Sequence, residues 1–425
     1  MSPSEILLDL QMRGLVAQVT DPKSFVTSFK QAVTLYCGFD PSADSLHVGH
    51  LLPILTLKRF QEAGHRPIVL IGGATGMIGD PSFKSQERKL QTADEVKASS
   101  ERIGEQLARF LSFEGPHGAL LANNADWFAQ MNVLQFLREV GKHFSINAMI
   151  NKDFVKQRID QSEAGISFTE FSYSLLQAYD FVALNKQYNC LLQIGGSDQW
   201  GNITAGIDLV RRLQKQAVYG LTLPLLTKSD GTKFGKTEQG SVWLDPQKTS
   251  PYAFYQFWLS IDDADIERSL KYFTFLSLDE IAAIQANKKV GEPQKRLAEE
   301  MTCLVHGKNG LLSAQRITEF LFDFEQRVDL DEHELAQIIS EFSLIYSVQE
   351  HGTLLIDLLV ISELCASKSQ ARQLIEAGAI RLNKHVISDI HYQFKKDDFI
   401  LHSNYAILTR GKKAHVVICG TVQNA

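Results

Sequence analysis

The sequence predicts an α/β protein that contains a doubly wound parallel sheet, a helical domain and a small α+β module. In the first half, short apolar runs that end in glycine alternate with segments of helical spacing, as in "AVTLYCGF", "HLLPILTLKRFQEAG" and "RPIVLIGG". Strand–helix–strand units at this spacing indicate parallel strands. After about Thr249 the strand pattern fades, and successive helical segments follow.

The strand ends are the places where ligands are expected, because Rossmann-like sheets of this kind bind them beyond the carboxyl ends of the strands. One predicted helix follows the first strand, with Pro53 in its first turn, and ends at Gly64. A second helix, "SDQWGNITAGIDLVRRLQK", offers Ser197 or Asp198 as its cap. The predicted strands are 32–39, 66–73, 190–196 and 221–227.

The changes in pattern give the expected domain boundaries. Residues 1–248 are predicted to form the Rossmann-like catalytic domain, and residues 249–327 an α-helical domain. The acidic, less regular stretch 328–351 is predicted as a linker. Residues 352–425 contain two short helical segments and a β-like run, and are predicted to form a small α+β module.

Charge is distributed unevenly along the chain. The 425 residues carry a net charge of −6, which by itself argues against a nucleic-acid partner. Residues 352–425 nevertheless carry +3, so the residues before them carry −9. A basic module attached to an acidic body suggests a polyanionic partner for that module.

The composition indicates the cellular compartment and argues against a structural metal site. The chain is 44% hydrophobic and 22% charged, as is usual for a globular protein, and no apolar run is long enough to span a membrane. Its five cysteines lie far apart without a C-x-x-C pair, so neither disulfides nor structural zinc are expected. The first residues do not read as a signal peptide. We therefore expect a cytoplasmic protein with no membrane partner.

The stretch "GFDPSADSLHVGH" places two histidines at the start of an apolar helix. His47 and His50 are three residues apart and share a helical face, at a helix terminus that favours phosphate. Gly49 lets a ligand approach the backbone. Two imidazoles here can donate hydrogen bonds to a phosphate whose charge grows in a transition state. Taken alone, the motif fits two surface histidines equally well.

A second polar motif, "SDGTKFGKTE", follows the last predicted strand. Lys233 and Lys236 are three apart in a glycine-bearing loop, and two ammonium groups on such a loop can close over a leaving polyphosphate. Alone, a solvated turn is the better interpretation.

Together, HVGH and KFGKT resemble the two signatures of the class I aminoacyl-tRNA synthetases. They depart from the commonest spellings only at middle and final positions. The segments "TLYCGFDPSADSLHVGHL", "GGATGMIGDPS", "SFTEFSYSLLQAYDF" and "LQIGGSDQWGNITAG" are similar to those of the bacterial tyrosyl-tRNA synthetases. This resemblance covers nearly the whole chain, including the basic tail.

The resemblance implies an activity and its partners. The expected reaction attaches L-tyrosine to tRNA(Tyr) through a tyrosyl-adenylate, with release of pyrophosphate. ATP is expected as a substrate with Mg²⁺, without a protein-held metal or organic cofactor. A homodimer is implied, and DNA is not expected as a partner. The catalytic residues implied are His47, His50, Lys233, Lys236 and Thr237.

The resemblance also implies a tyrosine pocket. Tyr36 and Asp180 would bind the phenol hydroxyl, and Tyr173, Gln177 and Asp80 the ammonium group. Tyr173, Gln177 and Asp180 share one helical face by their spacing. Without the resemblance, a half-buried helix face would be the better interpretation of Tyr173 and Gln177. Gln199 is expected to contact the reacting carboxylate. The ATP-binding residues implied are Gly38, Asp40, Gly49, Gly196, Asp198 and Lys236.

Two groups of basic residues are the remaining candidates for ligand binding. Lys84 and Arg88 are implied near pyrophosphate, although a solvated charge run explains them equally well. In the tail, the resemblance implies tRNA contacts by Lys368, Arg372, Arg381 and Lys384. Composition alone would favour a solvated helix there.

Three other functions remain open at this stage. A tryptophanyl-tRNA synthetase would share the fold, but its pocket would not need the polar pair Tyr36 and Asp180. Another H-x-G-H nucleotidyltransferase would not need the helical domain or the basic tail. A non-catalytic RNA-binding protein would not turn over ATP.

Overall fold

The computed structural model divides the chain into two units, which are described separately. The first comprises Met1–Lys248 and Trp258–Val305, and the second Thr249–Phe257 and His306–Ala425. The residues that the structure describes are 2–82, 91–151, 155–156, 159, 166–232, 234–237, 240–287, 289–322, 330–341, 345–349, 352–399, 405–411 and 414–421.

The first unit contains a six-stranded sheet of order β1-β6-β5-β2-β3-β4. Strand β1 pairs antiparallel with β6, and the other neighbours are parallel. The predicted doubly wound parallel sheet is confirmed, although the short strands β1 and β4 were not predicted. Strand β6 ends before Pro224, which has no N–H to donate, whereas the predicted strand continued to residue 227. The strands are β1 (Gln18–Val19), β2 (Thr34–Phe39), β3 (Arg66–Ile71), β4 (Leu120–Asn123), β5 (Cys190–Gly196) and β6 (Tyr219–Leu223).

Helices connect and cover these strands. Within residues 1–214, the helices whose bounds the structure describes are α1 (Ile6–Arg13), α2 (Pro22–Ser28), α3 (Leu51–Glu62), α4 (Thr75–Ile78), α5 (Ala93–Leu107), α6 (Ala125–Phe128), α7 (Val133–Glu139), α8 (Ile146–Ile150), α9 (Phe168–Tyr188) and α10 (Trp200–Gln214). Helices α9 and α10 bury Phe181 and Leu209 in a core that they share with Tyr36 and Ile68 of the sheet. This packing places the polar face of α9 beside the ends of β2 and β5.

The strand order reverses at β2, which lies between β3 and β5. The connections leave β2 and β5 in opposite directions, so a crevice opens beyond their carboxyl ends. After β5, residues Ser197–Gln199 form a 3₁₀ turn before α10. The predicted helix cap is wrong, because no side chain caps this turn or α10, and Asp198 accepts from Gln199 Nε2 at 3.2 Å.

The helices between residues 251 and 322 follow a two-stranded ribbon. The ribbon comprises β7 (Lys236–Thr237) and β8 (Gly240–Ser241). The helices are α11 (Pro251–Leu259), α12 (Asp263–Phe273), α13 (Leu278–Ala286) and α14 (Glu292–Phe322). Gly307 interrupts α14 with a φ of +73°, and the division between the two units falls next to it. The predicted helical domain 249–327 is thus divided between both units.

The second unit contains a five-stranded sheet of order β11-β10-β12-β13-β9. Its strands are β9 (Ile345–Gln349), β10 (Ile380–Leu382), β11 (His385–Val386), β12 (Tyr405–Arg410) and β13 (Ala414–Thr421). Helices α16 (Leu355–Ile361) and α17 (Lys368–Glu376) pack against it, around Leu359, Ile375 and Leu408. The α+β module predicted for the tail is confirmed.

The stretch 328–351, expected as a linker, is structured in its described part. It contains α15 (Glu332–Glu341) and strand β9, which pairs parallel with β13. Acidic residues hid the helical spacing of Leu335 and Ile338, both of which are buried. The last sheet therefore begins at residue 345. Within the described residues, no helix is long and apolar enough to cross a membrane.

Candidate active site

A cavity of about 320 Å³ lies at the reversal point of the sheet. Its described lining includes the carboxylates Asp40, Asp80, Asp180 and Asp198, and neither lysine nor arginine. Such a lining favours a cationic group of a ligand. The predicted site residues that line the cavity are Tyr36, Gly38, Asp40, Gly49, His50, Asp80, Tyr173, Gln177, Asp180, Gly196, Asp198 and Gln199.

Asp180 is the most deeply placed of these carboxylates. Trp127 Nε1 donates to its Oδ1 at 2.9 Å, and Asn124 Nδ2 donates to its Oδ2 at 3.2 Å. Burial raises the pKa of Asp180 well above its usual range, and the two donors oppose that rise. Each oxygen keeps acceptor capacity for a further hydroxyl group.

Tyr36 lies in the same part of the cavity. Its hydroxyl is buried and has no hydrogen-bond partner within the described part of the chain. Burial, and then the charge of Asp180, raise the pKa of this phenol well above 10, so it stays protonated. A buried hydroxyl without a partner is costly, and a ligand hydroxyl would satisfy it.

A chain of hydrogen bonds connects Asp180 to the middle of the cavity. Asn124 Nδ2 donates to Thr75 Oγ1 at 2.9 Å, and Thr75 donates to Asp40 Oδ1 at 2.7 Å. Tyr173 donates its hydroxyl to Asp40 Oδ2 at 2.6 Å. A Cβ on Gly72 would come within 1.9 Å of Asp40 Oδ1, so the network requires glycine there.

A second network lies at the mouth of the crevice, after β5. Gln199 Nε2 donates to Asp80 Oδ2 at 2.7 Å, and Gln177 Nε2 donates to Gln199 Oε1 at 3.2 Å. The other amide oxygen, Gln177 Oε1, is buried without a partner among the described residues. Gln199 thus joins Asp80 to the helix that carries Gln177, Tyr173 and Asp180.

Sequence reasoning missed several lining residues, namely Cys37, Thr75, Asn124 and Gln193. Asn124 follows β4, whose four residues gave no strand pattern, and this is why its role was not visible. Burial raises the pKa of the Cys37 thiol to about 12, so this group is a neutral thiol rather than a nucleophile.

The HVGH segment forms a tight 3₁₀ turn that leads into α3. Gly49 N–H donates to His47 Nδ1 at 3.0 Å, and His47 N–H donates to His50 Nδ1 at 3.2 Å. An accepting Nδ1 leaves the ring proton on Nε2. Burial, and then the neighbouring His47, lower the pKa of His50 to about 3. His50 is therefore a neutral imidazole that donates through Nε2.

The KFGKT loop contacts this turn through its glycine. Gly235 has a φ of +78°, and a Cβ there would lie 2.3 Å from Val48 Cγ2. Val48 N–H donates to Val242 O at 2.9 Å, and Val242 N–H donates to Gly235 O at 3.2 Å. The structure thus brings the backbones of the two motifs together. Lys236 and Thr237 form β7, whereas Lys233, Lys84 and Arg88 lie outside the described residues.

Comparisons with known proteins agree with this geometry. The family model "tRNA synthetases class I (W and Y)" matches residues 27–323, and the model "Tyrosine--tRNA ligase SYY-like C-terminal domain" matches residues 334–418. A tyrosine–tRNA ligase of Laribacter hongkongensis is 55% identical over 98% of this chain and 99% of its own length. One from Escherichia coli is 55% identical over 99% of this chain and 100% of its own. The chain belongs to the tyrosine–tRNA ligase family.

Solved structures of this family and its neighbours have the same fold. A C-terminally truncated mitochondrial tyrosyl-tRNA synthetase of Aspergillus nidulans superposes with a TM-score of 0.66 at 32% identity, covering 73% of this chain and 92% of that one. A tryptophanyl-tRNA synthetase of Encephalitozoon cuniculi is only 15% identical at a TM-score of 0.52, which shows the fold alone. The identity of the closer relatives therefore places the chain with the tyrosine–tRNA ligases.

The tail residues predicted to contact tRNA lie on the surface of the second unit. Lys368 and Arg372 are exposed one helical turn apart on α17, and Lys368 pairs with Asp357 at 2.5 Å. Arg381 lies on β10 between the buried Ile380 and Leu382, so its side chain is on the outer face. Lys384 Nζ lies 5.0 Å above the ring of Phe320.

Proposed function

We propose that the chain attaches L-tyrosine to tRNA(Tyr) in two steps, and that the first step takes place in the cavity described above. The observation that carries this proposal is the pairing of Asp180 with Tyr36 at the buried end of that cavity. Both groups are held by the surrounding fold, and each retains hydrogen-bonding capacity. A phenol fits this pair, since its O–H can donate to Asp180 while its oxygen accepts from Tyr36.

The α-ammonium group of tyrosine fits the centre of the cavity. Tyr173, Gln177 and Asp80 are its proposed ligands. Asp40 and Asp80 lie near enough to Tyr173 to raise the pKa of its phenol, second only to burial. These charges favour a cation in their midst. Gln199, which is hydrogen-bonded to Asp80, is proposed to contact the carboxylate of the same substrate.

ATP is proposed to bind along the crevice from Gly38 to Asp198. A Cβ on Gly38 would meet nothing within 4 Å, so this edge of β2 is open to a nucleotide. Gly196 and Asp198 at the end of β5, with Asp40 and Gly49, complete the nucleotide side. Magnesium is expected to arrive with ATP; among the described residues no group of three or more His, Cys, Asp or Glu could hold a metal ion.

The first step needs charge stabilisation more than proton transfer. The tyrosine carboxylate is already ionised at neutral pH, and one of its oxygens forms a bond to the α-phosphorus of ATP. The bond from that phosphorus to the bridging oxygen breaks, and its electron pair leaves with pyrophosphate. Neutral His50 donates through Nε2 to the charge that develops, together with His47.

The described lining of the cavity contains neither lysine nor arginine, so the positive charge for pyrophosphate is assigned to side chains outside that lining. Lys233, Lys236 and Thr237 of the KFGKT loop are the proposed source, because the contact of Gly235 with Val48 holds this loop beside the histidines. Lys84 and Arg88 are proposed on the pyrophosphate side. In the second step, the oxygen of a terminal tRNA hydroxyl forms a bond to the adenylate carbonyl carbon. The bond from that carbon to the phosphate oxygen breaks, AMP leaves with its electron pair, and the hydroxyl proton is released to water.

A homodimer is proposed from the resemblance and is supported by exposed apolar side chains. Leu121 on the edge strand β4 is 53% exposed, and Phe168 at the start of α9 is 77% exposed. Exposed apolar groups of this size are typical of protein interfaces. Among the described residues between these two, the other large exposed apolar side chains are Val133, Leu134, Leu137, Ile146, Ile150 and Ile159. Sedimentation should give twice the chain mass of 47.6 kDa.

Binding of tRNA is assigned in part to the tail, through Lys368, Arg372, Arg381 and Lys384. These side chains lie on the outer surface of a small folded module, where they can follow a phosphate backbone.

The five cysteines form no disulfide, which suits a reducing compartment, and we expect the reaction in the cytoplasm.

Amino-acid-dependent exchange between pyrophosphate and ATP tests the proposal. Exchange should require tyrosine, and tryptophan and phenylalanine should be poor replacements. Exchange supported by tryptophan would indicate a tryptophanyl-tRNA synthetase. Nucleotidyl transfer to a different acceptor would indicate another nucleotidyltransferase, and absence of ATP turnover would leave only RNA binding.

A further inference from the structure

Gln106 lies in the last turn of α5, outside the cavity, and holds the residue that precedes the HVGH segment. Leu46 N–H donates to Gln106 Oε1 at 2.9 Å. Gln106 Nε2 donates to Ser45 Oγ at 3.1 Å, and Ser45 Oγ donates to Leu46 O at 2.9 Å. All three residues are buried, so water does not replace these bonds.

The carbonyl group of Leu46 is held by the segment that follows the KFGKT loop. Leu244 N–H donates to Leu46 O at 2.8 Å, two residues from the bond between Val48 and Val242. Leu46 is therefore fixed through its N–H by α5 and through its C=O by residues 242–244. His47 follows directly, and its own N–H binds His50 Nδ1. A shift of Leu46 would move both imidazoles.

A second tie joins α5 to the same loop at the surface. Arg102 on α5 donates to Asp44 Oδ2 at 3.1 Å, and Lys248 binds the other oxygen of Asp44. The hydrogen bond from Lys248 holds the pKa of Asp44 below its usual value. Both partners of this tie are exposed, so it contributes little by itself. The buried amide of Gln106 is the better candidate for fixing the loop.

We propose that Gln106 is a positioning residue for adenylate formation, a role that rests on the proposed function of the HVGH segment. It touches no substrate, and it acts by fixing where His47 and His50 present their Nε2 donors. A displacement of about 1 Å at reacting groups can cost about 10²-fold in rate. Removal of the amide should therefore slow the chemical step more than it weakens tyrosine binding.

The test compares Gln106→Met with Gln294→Met. Gln294 is also 8% exposed and holds the start of α12, donating to Asp263 Oδ1 at 2.6 Å; within the described residues none of its hydrogen bonds reaches the HVGH segment. Both variants should unfold at lower urea concentration. Gln106→Met should slow single-turnover adenylate formation about 10- to 100-fold with tyrosine affinity little changed. Gln294→Met should leave that rate unchanged.

Two further variants separate positioning from general destabilisation. Gln106→Glu keeps an acceptor for Leu46 N–H and should recover most of the rate. In a double-mutant cycle, the factor lost by Gln106→Met should shrink in a His50→Ala background, because one of the positioned donors is gone. The proposal is overturned if the rate losses of Gln106→Met and His50→Ala multiply in the double variant within about twofold. It is also overturned if both methionine variants keep the wild-type rate.

Ser45→Ala is a milder second variant in case Gln106→Met does not fold. It removes only the hydroxyl between Gln106 and Leu46 O. A slower rate at unchanged tyrosine affinity supports the proposal, and an unchanged rate overturns it. The ratios are measured with whichever amino acid the wild type activates. If the assignment of tyrosine is wrong, the wild-type protein will activate a different amino acid. If the role of Gln106 is wrong, the ratio of variant to wild-type rate will not change as expected.

Discussion

Gly235 of the KFGKT loop lies directly against Val48 of the HVGH turn, so closely that a Cβ on Gly235 would come within 2.3 Å of Val48 Cγ2. The two motifs are separated by more than 180 residues in the sequence, yet a positive φ and the absence of a side chain let the backbone of Gly235 lie against the Val48 side chain. This contact joins the KFGKT loop to the HVGH turn, and we propose that the two segments act together on the leaving pyrophosphate.

Gly235→Ala should therefore slow adenylate formation, by roughly 10²-fold, because the loop must move away from Val48. Tyrosine affinity should change little, since neither Gly235 nor Val48 belongs to the proposed tyrosine pocket. Gly231→Ala is the matched control: its φ is +82°, but a Cβ there meets nothing within 4 Å. Single-turnover rates of both variants decide the matter. Equal losses would mean that backbone strain, rather than the contact with Val48, limits the rate.

Asp180→Ala should reduce the preference for tyrosine over phenylalanine. A site built to bind a hydroxyl rejects the analogue without it by roughly 10⁴–10⁵-fold, a general scale for which this enzyme family is itself the standard illustration. The variant should lose activity with tyrosine far more than with phenylalanine. Exchange rates with the two amino acids measure this ratio. An unchanged ratio would contradict the assignment of Asp180 to the phenol hydroxyl.

His50 should make stability depend on pH. Its pKa is lowered to about 3 by burial, whereas an unfolded histidine takes up a proton near pH 6.5. As pH falls below 6.5, the unfolded chain gains this proton and the folded chain does not. The contribution of His50 to stability is therefore complete above about pH 6.5 and decreases towards pH 3.

His50→Gln should remove that pH dependence. Between pH 7 and pH 5 the free energy of unfolding of the wild type should fall by about 2 kcal/mol more than that of the variant. Urea unfolding of both proteins at several pH values measures this difference. The other histidines are present in both proteins, so their contributions to the pH dependence cancel. Parallel curves for the two proteins would show that His50 titrates normally in the folded state. The rate of adenylate formation should likewise show no ionisation of His50 between pH 6 and 8.

Most of the candidate site residues were predicted from short sequence motifs, because residues close in sequence keep a fixed spacing on one helix or turn. Tyr173, Gln177 and Asp180 are an example, since one face of α9 presents all three to the cavity. Asn124 and Trp127, which hold Asp180, could not be predicted in this way. They follow a four-residue edge strand, and they meet Asp180 only because the sheet places β4 and α9 on the same side.

The fold prediction failed where elements depend on distant partners. Strand β1 has two residues and exists because β6 pairs with it. Strand β9 was included in an expected linker, but its partner β13 lies some 70 residues later. The pattern of side chains within such segments is too short to indicate a strand. Only the register with the partner makes them part of a sheet.

The tail provides the last prediction, because the sheet of the second unit fixes where it can be removed. Strand β9 pairs with β13, so a chain that ends near residue 350 would keep a strand without its partner. A chain that ends at Glu341 lacks the whole five-stranded sheet of the second unit. Every strand of the first unit and both signature motifs precede this point. This truncated chain should exchange pyrophosphate at close to the full-length rate, but it should lose most transfer of tyrosine to tRNA.

The loss should be electrostatic and should appear in the salt dependence of tRNA binding. Arg372→Ala should weaken binding and lower the slope of log affinity against log salt by about 1, as expected for one lost phosphate contact. Lys23→Ala, an exposed lysine on α2, removes the same charge outside the tail and should leave the slope unchanged. Exchange and charging are measured on the same preparations. If truncation reduces both activities together, the tail stabilises the catalytic fold, and if it reduces neither, the tail does not bind tRNA.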